Sequence, residues 1–259
     1  MASSNETVHA MKQLVRNALN SVGYRIVRAQ QPLERLIPEI DPFQRRAIET
    51  ATKYSMTGPI RMWTLLRAIA NVADRGIAGD IVECGVWKGG NLILAGLVRN
   101  HLSLRADIWG YDTFEGMSAP TVHDRKHKET KLAQEKFDKL QKDDHNEWCF
   151  AALDEVRENF AREVGPAQLR LIKGKVEETL RDPENLPAQI SVLRLDTDWY
   201  ESTKVELEVL FPRLVEGGVL IIDDYGEWAG AKQAVDEYFA GKKLWLHYVD
   251  PACRMFVKS

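Results

Sequence analysis

Asp196, Asp223 and Asp224 each follow directly on an apolar run, Ile190-Ser191-Val192-Leu193-Arg194-Leu195 for the first and Gly218-Val219-Leu220-Ile221-Ile222 for the pair. Short apolar runs separated by a helix-length segment read as neighbouring parallel strands. Open parallel sheets hold their ligands beyond the carboxyl ends of the strands. Carboxylates massed at two such ends repel one another and resist burial unless something neutralises them. A hard divalent cation with oxygen ligands, Mg²⁺ above all, is the simplest neutraliser. Asp196, Asp223 and Asp224 are therefore the expected metal ligands. A metal-bound alcohol loses its proton more easily, and one Asp can take that proton. The competing reading is that these acids cap helices or pair with Arg194, Arg213 or Lys204.

A second group of residues lies upstream. Asp80-Ile81-Val82-Glu83-Cys84-Gly85-Val86-Trp87-Lys88-Gly89-Gly90-Asn91 runs from a strand through glycines into a helix. Glycines there let the backbone turn sharply and approach a ligand. The spacing is not G-x-G-x-x-G, so a nicotinamide dinucleotide is not indicated. Tyr111-Asp112 ends the next strand, where a carboxylate can hold the two hydroxyls of a nucleoside ribose. Neither loop is basic enough to clamp phosphates. An adenosine-bearing ligand without phosphate fits, and S-adenosylmethionine is one. A tight strand–helix turn and a helix-capping Asp112 remain the plain alternatives.

These residues need a scaffold, and the pattern supplies one. Val8, Met11, Leu14, Val15, Ala18, Leu19 and Val22 have helical spacing over 5–22. Prolines punctuate 30–60 around a short helix near 43–53, and a second amphipathic helix opens after Gly58-Pro59. From residue 80 onward strands are expected at 80–84, 106–112, 169–174, 190–196, 218–224, 244–249 and 254–258, with helices at 91–99, 150–163, 202–214 and 229–240. Thr203 and Glu206 have capping-box spacing. The last two strands should form an antiparallel hairpin. The fold class is α/β, a seven-stranded, mostly parallel Rossmann-like sheet with an antiparallel terminal hairpin. Residues 1–60 read as an N-terminal helical extension and 61–259 as the catalytic domain. Within the latter, 118–149 is a charged insertion beside the carboxyl edge, a lid or a solvated helix on which Ala133, Phe137 and Leu140 share a face.

Composition narrows the function. The 259 residues hold 35 Lys and Arg against 38 Asp and Glu, a net charge of -3 that gives no reason to expect nucleic acid. No apolar run approaches the roughly 20 residues that span a bilayer, and Met1–Glu6 does not read as a signal peptide. Cys84, Cys149 and Cys253 are widely spaced, which suits free thiols and a cytoplasmic location. His123/His127 is the one histidine pair with i, i+4 spacing, and it lies in the charged insertion. Trp199 and Trp228, each close after an acidic cluster, are candidates for a pocket wall.

Together these residues resemble the macrocin O-methyltransferase family, whose members methylate sugar hydroxyls on macrolide and aminocoumarin antibiotics. The matching stretches are Tyr54-Ser55-Met56-Thr57, Gly79–Gly90, Tyr111-Asp112-Thr113-Phe114-Glu115-Gly116-Met117, Leu195–Thr203 and Val219–Tyr225. The resemblance implies a class I methyltransferase fold, S-adenosylmethionine and Mg²⁺. It implies Asp196 as general base and metal ligand, with Asp223 and Asp224 as further ligands. It assigns Met56, Thr57, Glu83, Gly85, Asn91, Asp112, Thr113 and Gly174 to the cofactor. It also implies a small-molecule glycoside as acceptor and a homo-oligomer in which residues 1–30 help cover a neighbouring active site. A catechol-type phenol O-methyltransferase and a non-catalytic S-adenosylmethionine-binding protein are the alternatives.

Overall fold

The computed structural model describes residues 32–127, 133–165, 168–242 and 244–259. The chain divides into two units, Met1–Glu39 and Ile40–Ser259. The described element of the first is the short helix α1, Leu33–Leu36. The helix expected over 5–22, and the covering role of residues 1–30, lie outside the described residues.

The second unit opens with α2, Pro42–Thr52. Asp41 and Gln44 form a reciprocal capping box, each side chain accepting from the other's backbone N–H at 2.9 and 3.0 Å. Helix α3, Pro59–Asp74, starts on a proline and buries Met62, Leu65, Leu66, Ile69 and Val72 along one face. Strands and helices then alternate: β1 (Asp80–Cys84), α4 (Gly90–His101), β2 (Ile108–Asp112), α5 (Gln134–Leu140), α6 (Leu153–Val164), β3 (Leu169–Lys173), α7 (Val176–Thr179), β4 (Ile190–Leu195), α8 (Tyr200–Val209), β5 (Leu214–Ile222), α9 (Ala229–Tyr238), β6 (His247–Tyr248) and β7 (Arg254–Val257).

The seven strands form one sheet in the order β3-β2-β1-β4-β5-β7-β6. The first five run parallel, and β7 pairs antiparallel with β5 and β6. β4 is buried along its whole length, as expected of a central parallel strand covered on both faces. The chain winds outward in opposite directions from β1 and β4, so the crevice above their carboxyl ends is the place for a ligand. Register brings the chemistry to that edge. Glu83 pairs with Arg194, and Leu195 with Ile222. The ladder continues one residue further, with Asp196 N–H donating to the Cys84 carbonyl and Asp223 N–H to the Leu195 carbonyl, both at 2.9 Å.

Several expected elements differ in detail, among them the strand expected over 244–249, which is reduced to His247–Tyr248, and the one expected from 106, which begins at Ile108. β5 begins at Leu214, because its pairing with β4 shifts register between Ile190 and Val192. The helix expected to reach 214 stops at Val209 and gives way to a 3₁₀ turn at Phe211–Arg213, where Pro212 has no N–H to continue it. Thr203 and Glu206 do not form a capping box; they lie inside α8 and are buried. The N–H of Tyr200 at the start of α8 is met instead by Asp124 of the insertion, at 2.9 Å.

Asp124 anchors the insertion. It is fully buried, and its other oxygen accepts from the Thr121 N–H at 2.6 Å and the Thr121 hydroxyl at 2.9 Å. Gly230 makes room for it, since a Cβ there would stand 2.1 Å from Asp124 Oδ1. Ala133, Trp148, Trp199, Trp228 and Ala231 form a separate apolar cluster, against which Phe137 and Leu140 pack. The insertion's apolar face thus packs on the sheet domain, and the buried Asp124 carboxylate ties it there. Asp124→Ala is expected to cost about 2 kcal/mol, since it removes a helix cap and charge-assisted bonds at once. Urea midpoints check the stability, and faster tryptic cleavage within 118–149 checks the loosening.

Candidate active site

A cleft of about 400 Å³ opens above the ends of β1 and β4. A side cavity of about 60 Å³ adjoins it and shares Gly85, Asp112 and Asp196. The cleft has three walls: the turn after β1, the acidic ends of β4 and β5, and a tryptophan wall under the insertion.

Gly85 begins the turn with φ +83°. A Cβ on it would stand 1.9 Å from the Asp196 carbonyl oxygen, so glycine is required both by conformation and by the neighbouring strand end. Asp112 at the end of β2 secures the same turn. Its Oδ2 accepts from the N–H groups of Val86 and Trp87 at 2.7 and 3.0 Å, and its Oδ1 from Phe114 N–H at 2.8 Å. Asp112 is thus a structural clasp as well as a cleft-lining carboxylate. Burial raises its pKa, against the lowering effect of those N–H donors.

Of the other residues expected at a cofactor, Met56, Thr57 and Asn91 line the cleft, while Thr113 and Gly174 line the side cavity. Met56 is exposed. Asn91 donates to Thr57 Oγ1 and Glu83 Oε1, both at 3.0 Å, and its own carbonyl oxygen is buried without a partner among the described residues. Glu83 lies beneath the cleft rather than in its lining. Burial raises its pKa to about 7, although Arg194 and Asn91 act to lower it.

The acidic wall differs in composition from the expected trio. Carboxylate oxygens of Asp196, Asp198 and Asp224 lie within 4.8 Å of one another. Asp223 stands apart from that group, held by two arginines: Arg194 Nη2 donates to its Oδ1 at 2.6 Å, and Arg61 Nη1 to its Oδ2. Arg61 is itself tied to Asp250 at 2.6 Å. Asp198 was the residue that spacing could have singled out, since Asp196-Thr197-Asp198 puts two acids two positions apart. Its φ of +68° marks the turn beyond β4 on which it sits. Burial raises the pKa of all three converging carboxyls. Asp198 is pushed up to about 7, with Asp196 adding to the effect. Asp224 rises with Asp198 and Asp223 adding, and Asp196 rises despite the opposing pull of Arg194. Asp224 Oδ2 is buried with no partner among the described residues. A hard cation is the group that such oxygens fit.

Trp148 and Trp228 face the cleft with Met117 and Lys136. Lys136 Nζ lies 3.6 Å from the centre of the Trp148 ring. Trp228 therefore walls the pocket as expected. Trp199 does not line it; it is 2 % exposed and donates from Nε1 to the Ser118 carbonyl at 3.0 Å. The His123/His127 pair does not converge on one ligand, since His123 meets Gln233 and His127 the Tyr225 carbonyl. The three cysteines are free, and no helix among the described residues is long and apolar enough to cross a membrane.

Comparison with known proteins agrees with this geometry. A Streptomyces olivaceus protein named 8-demethyl-8-(2,3-dimethoxy-alpha-L-rhamnosyl)-tetracenomycin-C 4'-O-methyltransferase is 33% identical over 227 residues, 87% of this chain and 82% of that protein. Demethyldecarbamoylnovobiocin O-methyltransferase of Streptomyces niveus is 34% identical over 193 residues, 73% of this chain and 69% of that protein. The solved structure of the O-methyltransferase NovP superposes with a TM-score of 0.69 at 28% identity, covering 80% of this chain and 82% of that one. The family profile described as macrocin-O-methyltransferase (TylF) matches residues 5–258. With the glycine turn, the acidic strand ends and the class I sheet all in place, the chain belongs to the macrocin-O-methyltransferase family and is an O-methyltransferase.

Proposed function

We propose that this protein transfers a methyl group from S-adenosylmethionine to a sugar hydroxyl of a glycosylated natural product or saccharide, with Mg²⁺ at the acidic wall. The observation that carries the reading is the convergence of Asp196, Asp198 and Asp224 beside a cleft that also holds the Gly85 turn. The acceptors named for the Streptomyces relatives support a glycoside over a free phenol. S-adenosylmethionine, when bound, supplies the electrophilic methyl group. The cation, when bound, supplies Lewis acidity toward an acceptor oxygen.

The chain's own residues do the rest. Gly85 and the turn it opens leave space for the cofactor's amino-acid end, where the unpartnered Asn91 carbonyl oxygen is an acceptor for an ammonium. Thr113 and Gly174 line the side cavity that suits the base. Asp196 is the proposed general base: Arg194 holds its Oδ2 at 2.7 Å, which leaves Oδ1 to take the acceptor proton. Trp148, with Lys136 over its ring, and Trp228 wall the acceptor side and keep water from the reacting centre. Orientation is the main contribution to such a transfer.

Asp196 and Asp224 are common to the expected and the observed acidic groups. The third ligand is Asp198 by convergence, whereas Asp223 would have to leave an arginine. Calorimetric Mg²⁺ titrations separate the two: Asp198→Asn should weaken binding about tenfold or more, and Asp223→Asn less. The reverse order restores Asp223 as the ligand. Dialysis against EDTA should abolish labelled-methyl transfer to glycosides, and Mg²⁺ should restore it. Full activity of protein shown metal-free by elemental analysis overturns the metal role. The homo-oligomer is likewise a proposal, and light scattering of full-length protein decides it.

A further inference from the structure

The guanidinium of Arg194 is 1 % exposed and holds four groups at once. Nη1 donates to Glu83 Oε1 and to Asp196 Oδ2, each at 2.7 Å. Nη2 donates to Asp223 Oδ1 at 2.6 Å and to Thr57 Oγ1 at 3.2 Å. Thr57 Oγ1 also accepts from Asn91, which in turn donates to Glu83. Arg194, Thr57, Asn91 and Glu83 thus close a ring of hydrogen bonds, and Asp196 and Asp223 hang from its arginine corner.

Two of those corners, Thr57 and Asn91, face the part of the cleft assigned to the cofactor, and Asp196 faces the part assigned to the cation. A guanidinium is planar and rigid, so a shift at one nitrogen is passed to the other. The guanidinium itself is almost closed to water, so a donor on it left without its partner is costly. The Thr57 hydroxyl is the joint through which the segment Ser55–Thr57 reaches the arginine. Ser55 supports it from its own side chain, which accepts the Thr57 N–H at 3.0 Å.

We propose that Arg194 is a positioning residue that couples the two halves of the site, so that cofactor and cation each raise the other's affinity through the Thr57 hydroxyl. The inference rests on the cofactor and metal reading above. It requires reciprocity, because a coupling free energy acts equally in both directions.

The test is a set of calorimetric titrations of the full chain with S-adenosylhomocysteine and with Mg²⁺, each alone and in the presence of the other. S-adenosylhomocysteine has no sulfonium charge, so direct repulsion of the cation does not enter. In the wild type each ligand should tighten the other by about fivefold or more. In Thr57→Val the ratio should fall close to one. It is read within each variant, so a change in either affinity alone cancels. Thr57→Ser keeps the hydroxyl and should keep the coupling, which separates the hydrogen bond from a packing effect. Independent binding in the wild type, or coupling that survives in Thr57→Val, overturns the inference and leaves the site reading intact. Failure of wild-type protein to bind either ligand overturns that reading and the inference with it.

Discussion

Replacing Asp196 by asparagine is expected to lower methyl transfer by a factor of about 10²–10⁴, the usual contribution of a positioned general base. S-adenosylhomocysteine binding should survive. The cofactor turn meets the backbone carbonyl of Asp196 at Gly85, and the amide oxygen of Asn can still accept from Arg194. The variant should therefore fold and bind but not turn over. Single-turnover assays with labelled methyl donor check the rate, and calorimetry checks the binding. Near wild-type turnover would show that the proton leaves by another group, of which Asp198 is the nearest candidate.

The second large effect is on stability. Arg194→Met should cost about 3–5 kcal/mol, because it strands Glu83 and Asp196 and leaves Asp223 with Arg61 alone. For a chain of this size that corresponds to a fall in Tm of roughly 6–20 °C. The deficit should depend on pH. Glu83 already titrates near 7 because burial outweighs the lowering by Arg194, and losing the arginine raises it further. The folded variant then holds a proton that the unfolded chain releases above about pH 4.3. Its stability must fall as pH rises through that window. Melting curves should show a smaller deficit near pH 5 than near pH 8. A deficit independent of pH would exclude Glu83 as the stranded charge.

The sheet was legible because its strands are short apolar runs with helix-length spacers. β1 coincides with the expected 80–84, and the two acidic strand ends are neighbours as the order of strands in sequence implied. Errors fell where local pattern was overridden by tertiary contact. Thr203 and Glu206 have the spacing of a capping box, yet the start of α8 is met by Asp124, far away in sequence. The site was legible as residue types but not as partners. Asp223 and Asp196 do share Arg194, and Asp223 is in addition paired with Arg61, on a helix well upstream. Nothing local to residue 61 signals that pairing. Asp198 could have been chosen from its place two residues after Asp196, but only the turn beyond β4 shows that it faces the same point.

Beside the Asp124 side chain and the tryptophan cluster, the insertion is fastened to the rest of the domain by a set of backbone bonds. Met117 N–H donates to the Trp148 carbonyl, Asn146 N–H to the Glu115 carbonyl, and the 125–127 segment bonds to Glu227 and Ala229. These links run backbone to backbone and so do not depend on side-chain identity, whereas the Asp124 and tryptophan contacts do. A change confined to the insertion's outward-facing side chains therefore leaves these fastenings, and the carboxylates at the ends of β4 and β5, in place.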